Sequence, residues 1–181
     1  VMNTLIDLVG VNQELLIYLA IDITIAIILL GAMRFLLGLT SQVNSTEELA
    51  QKDNFAFGVS VAGSILALGI VLTGAISGEN APSYTMEIIG MFAYGTYGLV
   101  LIKVGRIIQD KVALQHLNKT ELIKNKNLTI GIVDAAGAIA TAIIIRAVLL
   151  WVDGLNISTF IAITSGFIVA QAVLVMVTRI R

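Results

Sequence analysis

Five ionisable residues lie inside otherwise apolar stretches, and they are the residues best placed to do chemistry. They are Asp22, Glu87, Lys103, Asp134 and Arg146. A carboxyl group in such a setting can bind a proton or a cation, which would place these residues on a polar path. The alternative is that the charges hold helices together, or that long side chains reach the membrane surface.

The sequence offers no recognisable catalytic set to accompany these charges. The chain has no cysteine and one histidine, so a thiolate nucleophile and a cysteine–histidine zinc site are both excluded. No Ser-His-Asp arrangement falls in the apolar stretches, and no glycine-rich phosphate loop is present. The sequence therefore predicts a protein that is not an enzyme and has no cofactor.

The composition indicates where these charges reside. Of 181 residues, 57% are hydrophobic and 13% are charged, and the mean hydropathy is +0.96. Soluble domains carry about 25% charged residues. Soluble enzymes, disordered linkers and basic nucleic-acid-binding proteins are therefore excluded, and membrane lipid is the expected surrounding.

Five apolar stretches are long enough to cross a bilayer, whose core requires about 20 residues of helix. They are residues 15–39, 55–77, 84–108, 128–151 and 157–177. They lack the alternation of membrane barrel strands. The predicted fold is all-α, a polytopic transmembrane bundle with five spans. Residues 1–14 are either an outer interfacial helix or a frayed lead-in.

A shift of 73 residues superposes two parts of the chain. It aligns Asn54 with Asn127, and it aligns two segments with the spacing of a helix-starting capping box, Ser45 to Glu48 and Asn118 to Glu121. This pattern predicts two parallel two-helix repeats, residues 15–77 and 84–151. An additional carboxy-terminal helix, residues 157–181, follows them.

Basic residues are concentrated on one side of the predicted membrane. Ten of the 11 lysines and arginines fall there, with Arg146 as the exception. The positive-inside rule makes that side cytoplasmic. The amino terminus is then outside and the carboxy terminus in the cytoplasm.

Depth along the helices, at about 1.5 Å per residue, predicts which charges meet. Glu87 and Arg146 fall at one level near the outer surface. Lys103 and Asp134 fall near the cytoplasmic surface. We expect each pair to join the third and fourth spans, and Asp22 to be unpaired or to share Arg146.

Small residues four apart predict close helix contacts. Gly58 and Ala62 match Gly131 and Ala135 in the repeat, and the pattern extends to other pairs: Gly63/Ala67, Ala136/Ala140 and Gly74/Gly78. Packing of the two repeats against each other and an oligomer face are the two interpretations.

The segment after the third span is basic and includes Arg106, Lys111, Lys119, Lys124 and Lys126. It is suited either to contact with anionic lipid or to docking of a cytoplasmic partner.

Two segments carry a family resemblance, residues 48–58 (ELAQKDNFAFG) and residues 127–137 (NLTIGIVDAAG). They resemble the bacterial inner-membrane YjfL-like proteins, the domain of unknown function 350 family. The resemblance implies tandem two-helix units, location in the inner (plasma) membrane and a genomic connection with membrane stress. The fifth span departs from the four-helix family pattern.

These observations favour a non-enzymatic component of a membrane complex, either a homo-oligomer or a subunit beside other proteins. The alternative function is a small ion or solute channel or transporter, with Asp22 and Arg146 on its polar path.

Overall fold

The chain is an all-helical bundle. The computed structural model describes residues 13–40, 45–76, 82–113, 117–151 and 154–179. Five long helices are apolar enough to cross a membrane, which confirms the predicted spans. They are α1 (Gln13–Thr40), α3 (Phe55–Ile76), α4 (Tyr84–Ile108), α6 (Leu128–Leu149) and α7 (Ile157–Arg179). The predicted interfacial segment, up to residue 12, lies outside the described residues.

Short polar segments connect the spans at one end of the bundle. The first contains α2 (Ser45–Ala50), and the second contains a π-helical segment (Gln109–Ala113) and α5 (Lys119–Lys124). Side chains of the predicted start residues cap two helices: Asn118 Oδ1 accepts from the Glu121 amide and Asn127 Oδ1 from the Ile130 amide. These caps satisfy N–H groups that have no partner within the helix.

Helices α3 and α6 form the centre of the bundle and run parallel. Gly131 lies against the backbone of Ala56 at one end. Gly63 lies against Ala135 further along. Further along, both helices contribute buried apolar residues to the core: Ala67, Leu68, Val71, Ala138 and Ala142.

Two of the four predicted packing residues make this contact. Gly131 and Ala135 pack against α3. On α3 itself the contact is made by Gly63, which belongs to the predicted Gly63/Ala67 pair, whereas Ala62 is exposed. Gly58 is half-buried, and a Cβ there would lie 3.4 Å from Leu49 Cδ2. The sequence could not distinguish the Ala62 face from the Gly63 face. Helix α3 is apolar on every side, so hydropathy does not select among its small residues.

The other long helices surround this pair. Helix α4 approaches closely through its glycines, with Gly98 against Val71 of α3. Its tyrosines reach the α7 side of the bundle, where Tyr94 Oη donates to the Gly154 carbonyl at 2.6 Å. Tyr97 Oη lies 2.5 Å from Thr164 Oγ1. Helices α1 and α7 are peripheral, since most of each faces outward.

Both loops contain a left-handed residue just before a capping asparagine. Asp53 has a φ of 47° and Lys126 a φ of 61°, and the two positions are 73 residues apart. The left-handed conformation crowds a Cβ atom against the backbone, although aspartate tolerates it better than lysine does. The backbone therefore has the same unusual geometry at both matched positions.

We expect Lys126→Gly to stabilise the protein by about 0.5–1 kcal/mol. Glycine removes the left-handed penalty but adds freedom to the unfolded chain, and the first effect is larger. Thermal unfolding in detergent would measure the gain. Lys124→Gly is the control. Lys124 is the last residue of a regular helix, so glycine there should lower the stability of the protein. A lower Tm for Lys126→Gly would contradict the expectation.

Candidate functional site

A buried carboxylate at the loop end of the bundle is the centre of the main polar site. Asp134 lies six residues into α6, about 9 Å from its start, and is 2% exposed. Its neighbours come from α3, α4, the π-helical segment and α5. We call the set the Asp134 cluster: Asp134, Arg106, Lys119, Asp110, Ser60 and Ser64.

Both oxygens of Asp134 are engaged by cations. Arg106 pairs with Oδ2 through Nη2 and donates from Nε to Oδ1 at 3.1 Å. Lys119 Nζ lies 2.6 Å from Oδ1. Ser60 Oγ also donates to Oδ2. A carboxylate with this many partners is stabilised in its charged form despite burial.

The two cations are satisfied in turn. Arg106 donates from Nη1 to Ser64 Oγ at 2.6 Å and from Nη2 to Ser60 Oγ at 2.7 Å. Lys119 Nζ also lies 2.5 Å from Asp110 Oδ1. Two carboxylates therefore balance two cations. This balance matters for Lys119, since a cation is unfavourable in the first turn of a helix.

The predicted Lys103–Asp134 pair is wrong. Lys103 is exposed on the side of α4 that points away from the bundle. Arg106, one helical turn further on, faces Asp134. The sequence prediction also missed Ser60 and Ser64. Two hydroxyls four residues apart in an apolar helix, at the depth of Asp134, were a usable signal, because they lie on one helix face.

A second polar site joins α1 and α4 at the other end of the bundle. Asp22 is 5% exposed, and its Oδ1 has no hydrogen-bond partner. Its carboxyl group lies within hydrogen-bonding reach of the Glu87 carboxyl group. We call these two residues the acid pair.

Arg146 lies in a different interface. Its Nε donates to Thr73 Oγ1 on α3 at 3.0 Å. Its side chain also passes beside Gly74. These contacts differ from the predicted Glu87–Arg146 pair and place Arg146 between α3 and α6, whereas Asp22 and Glu87 lie between α1 and α4.

The predicted basic segment is divided by the fold. Lys119 is buried and Arg106 half-buried, and both point to Asp134. Lys111, Lys124 and Lys126 are exposed. The outward surface of this segment is therefore less basic than the sequence indicates.

Asn54 connects the two loops. It is 2% exposed, and its Nδ2 donates to Glu48 Oε2 at 2.8 Å and to the Ile123 carbonyl at 2.9 Å. Its Oδ1 caps α3 by accepting from the Phe57 amide at 3.1 Å. The donation from Nδ2 lowers the pKa of the Glu48 carboxyl, and Lys52 acts in the same direction. One amide thus joins α2, α3 and α5.

We expect part of the stability to be lost in acid through Glu48. A lowered pKa in the folded state contributes stability above the ordinary pKa of 4.5, and this contribution disappears as the pH falls below that value. Glu48→Gln should therefore reduce the difference in Tm between pH 7 and acid. The control is Glu47→Gln, whose ion pair with Lys52 is half-exposed. An unchanged acid dependence in Glu48→Gln would refute this expectation.

Comparisons with known proteins place the chain in a family. A UPF0719 transmembrane protein of Aquifex aeolicus (strain VF5) is 25% identical over 133 residues, which are 74% of this chain and 49% of that protein. The chain thus spans about half the length of that curated relative. No solved structure matches the chain. The model of the family described as Domain of Unknown Function (DUF350) matches residues 9–149, which leaves α7 outside the match. The chain is a transmembrane protein that belongs to this family, as its sequence resemblance indicated.

Proposed function

We propose that this chain is a non-catalytic subunit of a membrane complex. Its bundle holds the segment around α5 in a fixed position for a second copy or another subunit. The observation that carries the proposal is the anchoring of α5 by Lys119. A lysine in a loop helix is buried against the bundle, 2.6 Å from Asp134 and 2.5 Å from Asp110.

The electrostatics of the Asp134 cluster favour this structural role. Its main charges already have partners within the chain, so they hold four elements together and leave little capacity for a substrate. Breaking a buried ion pair of this kind by removing one partner strongly destabilises the folded protein. The exposed side of α5, with Glu121 and Lys124, is then a fixed polar surface next to the membrane.

Site-specific photo-crosslinking in native membranes tests the proposal. A photoreactive residue at Lys124 should form a protein adduct, because this side chain points outward from α5. The control is position 143 on α6, six residues before the end of the helix, where Ile143 is 54% exposed and should contact lipid. Copies with two different tags distinguish a self-contact from another subunit. A chain without adducts at Lys124 that stays monomeric in mild detergent would refute the proposal.

The alternative function, a channel or transporter, has weaker support. Its two polar-path residues, Asp22 and Arg146, lie in different helix interfaces. Along α3 and α6, buried apolar residues such as Leu68 and Ala142 lie between the Asp134 cluster and Arg146. A groove between α1 and α4 is also almost wholly apolar. Ion flux into liposomes that is lost in Asp22→Asn would favour conduction. Absence of flux in the parent protein would exclude it.

We further propose the inner membrane as the location, with α2 and α5 in the cytoplasm. The support is the charge bias, since exposed lysines of both loops occupy the same end of the bundle. The chain has no cysteine, so single substitutions can be labelled directly. Trp151→Cys, at an 86% exposed position at the opposite end, should react with an impermeant maleimide in intact cells. Lys124→Cys should react only after permeabilisation, and the reverse result would overturn the orientation.

A further inference from the structure

We propose that Asp22 and Glu87 form a proton-binding site in which one proton is shared between two carboxyl groups at the α1–α4 interface. The inference does not rest on the proposed function. It starts from Asp22, which is 5% exposed inside a membrane span and has a buried Oδ1 without a hydrogen-bond partner. An ionised carboxylate in that position would leave an unpaired charged oxygen in an apolar setting, which is costly.

The neighbour of Asp22 makes ionisation of both groups still less favourable. Glu87 lies within hydrogen-bonding reach, and two carboxylates at such a distance repel each other. Helix α3, which also packs against α1, contains no ionisable side chain over Phe55–Ile76. Among the residues that the structure describes, the titratable groups further out on this interface are Glu14, Tyr18 and Tyr84, none of which is a cation.

Sharing a proton resolves both problems. Glu87 lies in the first turn of α4, where the helix dipole favours a negative charge. Asp22 lies deep within α1 and lacks this benefit. We therefore place the proton on Asp22, which donates to the Glu87 carboxylate, while Oδ1 becomes the carbonyl oxygen of a neutral acid. A neutral carbonyl without a partner costs far less than a charged oxygen without one.

A proton fits this site better than a metal ion does. Ca²⁺ and Mg²⁺ in proteins take six or more oxygen ligands from carboxylates, carbonyls and water. In the part of the chain that the structure describes, no group of three or more His, Cys, Asp or Glu residues could hold a metal. Two carboxyl groups, one of them with a free oxygen, match the requirement of a shared proton.

Infrared spectroscopy on the whole protein in phosphatidylcholine vesicles tests the site. The difference is taken between spectra of unlabelled and ¹³C-labelled protein. We expect a protonated carboxyl band at neutral pH that shifts when aspartate carries ¹³C and does not shift when glutamate does. This isotope measurement uses the parent protein, so it does not depend on whether a variant folds. A shift with labelled glutamate alone, or no protonated band, would overturn the assignment.

Two variants and a control complete the test. Asp22→Asn should lose the band. Glu87→Gln should move it to higher frequency, because a neutral amide oxygen accepts more weakly than a carboxylate. Glu121→Gln, at an exposed position on α5, should leave the band unchanged. Replacing the buffer cation choline by sodium at constant ionic strength should leave the band unchanged. Loss of the band in sodium would overturn the proposal in favour of a cation site.

Discussion

Asp134→Asn is expected to destabilise the bundle by about 3–5 kcal/mol, the largest effect we predict for a single charge. The substitution keeps the shape of the side chain but removes one of the two negative charges that balance Arg106 and Lys119. One of the two cations would then remain without a counter-charge, and breaking a buried pair in this way costs several kcal/mol. Reversible unfolding by sodium dodecyl sulfate in mixed micelles measures the change.

A control variant and a double variant complete this test of the Asp134 cluster. Asp53→Asn removes an exposed carboxylate in a left-handed position that asparagine also tolerates, so it should be nearly neutral. The double variant of Asp134→Asn with Arg106→Gln should cost less than the sum of the two single variants, because it removes opposite charges together. A loss below 1 kcal/mol for Asp134→Asn alone would show that the cluster does not stabilise the bundle.

Gly131→Ala should also have a large effect, a destabilisation of about 3 kcal/mol. A Cβ at this position would lie 3.0 Å from both the Cα and the carbonyl carbon of Ala56, and closer still to its oxygen. Backbone atoms cannot move aside as a side chain can, so α3 and α6 must separate. The separation would also disturb the Ser60–Asp134 contact nearby. The expected cost lies at the upper end for overpacking.

Other glycines provide matched controls for this substitution. Gly58→Ala changes the residue 73 positions earlier, but its Cβ would meet only Leu49 Cδ2, at 3.4 Å. We expect it to be tolerated. Gly69→Ala introduces a Cβ into open space and should stabilise α3 by up to about 1 kcal/mol through helix propensity. Equal stability of Gly131→Ala and Gly58→Ala would contradict the close approach. Unfolding in detergent measures all three.

Hydropathy was sufficient to predict the spans, because helices in lipid must satisfy their own backbone and need a nearly fixed length. The third predicted span, 84–108, coincides with helix Tyr84–Ile108. Capping asparagines marked the starts of α5 and α6 for a similarly local reason, since a side chain that accepts from an amide three residues later needs no tertiary context.

The partners of the buried charges depended on information that periodicity does not contain. Lys103 and Arg106 occupy adjacent turns of α4, and a helix that is apolar on most sides gives no signal for which residue faces inward. Lys119 was harder to predict, because its position depends on how the loop folds back from α4 to the start of α6. Ser60 and Ser64 were predictable in principle, as two hydroxyls at the depth of a carboxylate.

The central contact of the bundle joins residues that are far apart in the chain, and this separation affects how the protein is made. Ala56 and Gly131 lie 75 residues apart, which a ribosome translates in about 4–15 s at 5–20 residues per second. Throughout that interval α3 has emerged but its parallel neighbour has not. Its glycine-bearing side must be shielded by lipid or by the insertion machinery until α6 arrives, so completion of the bundle follows late in synthesis.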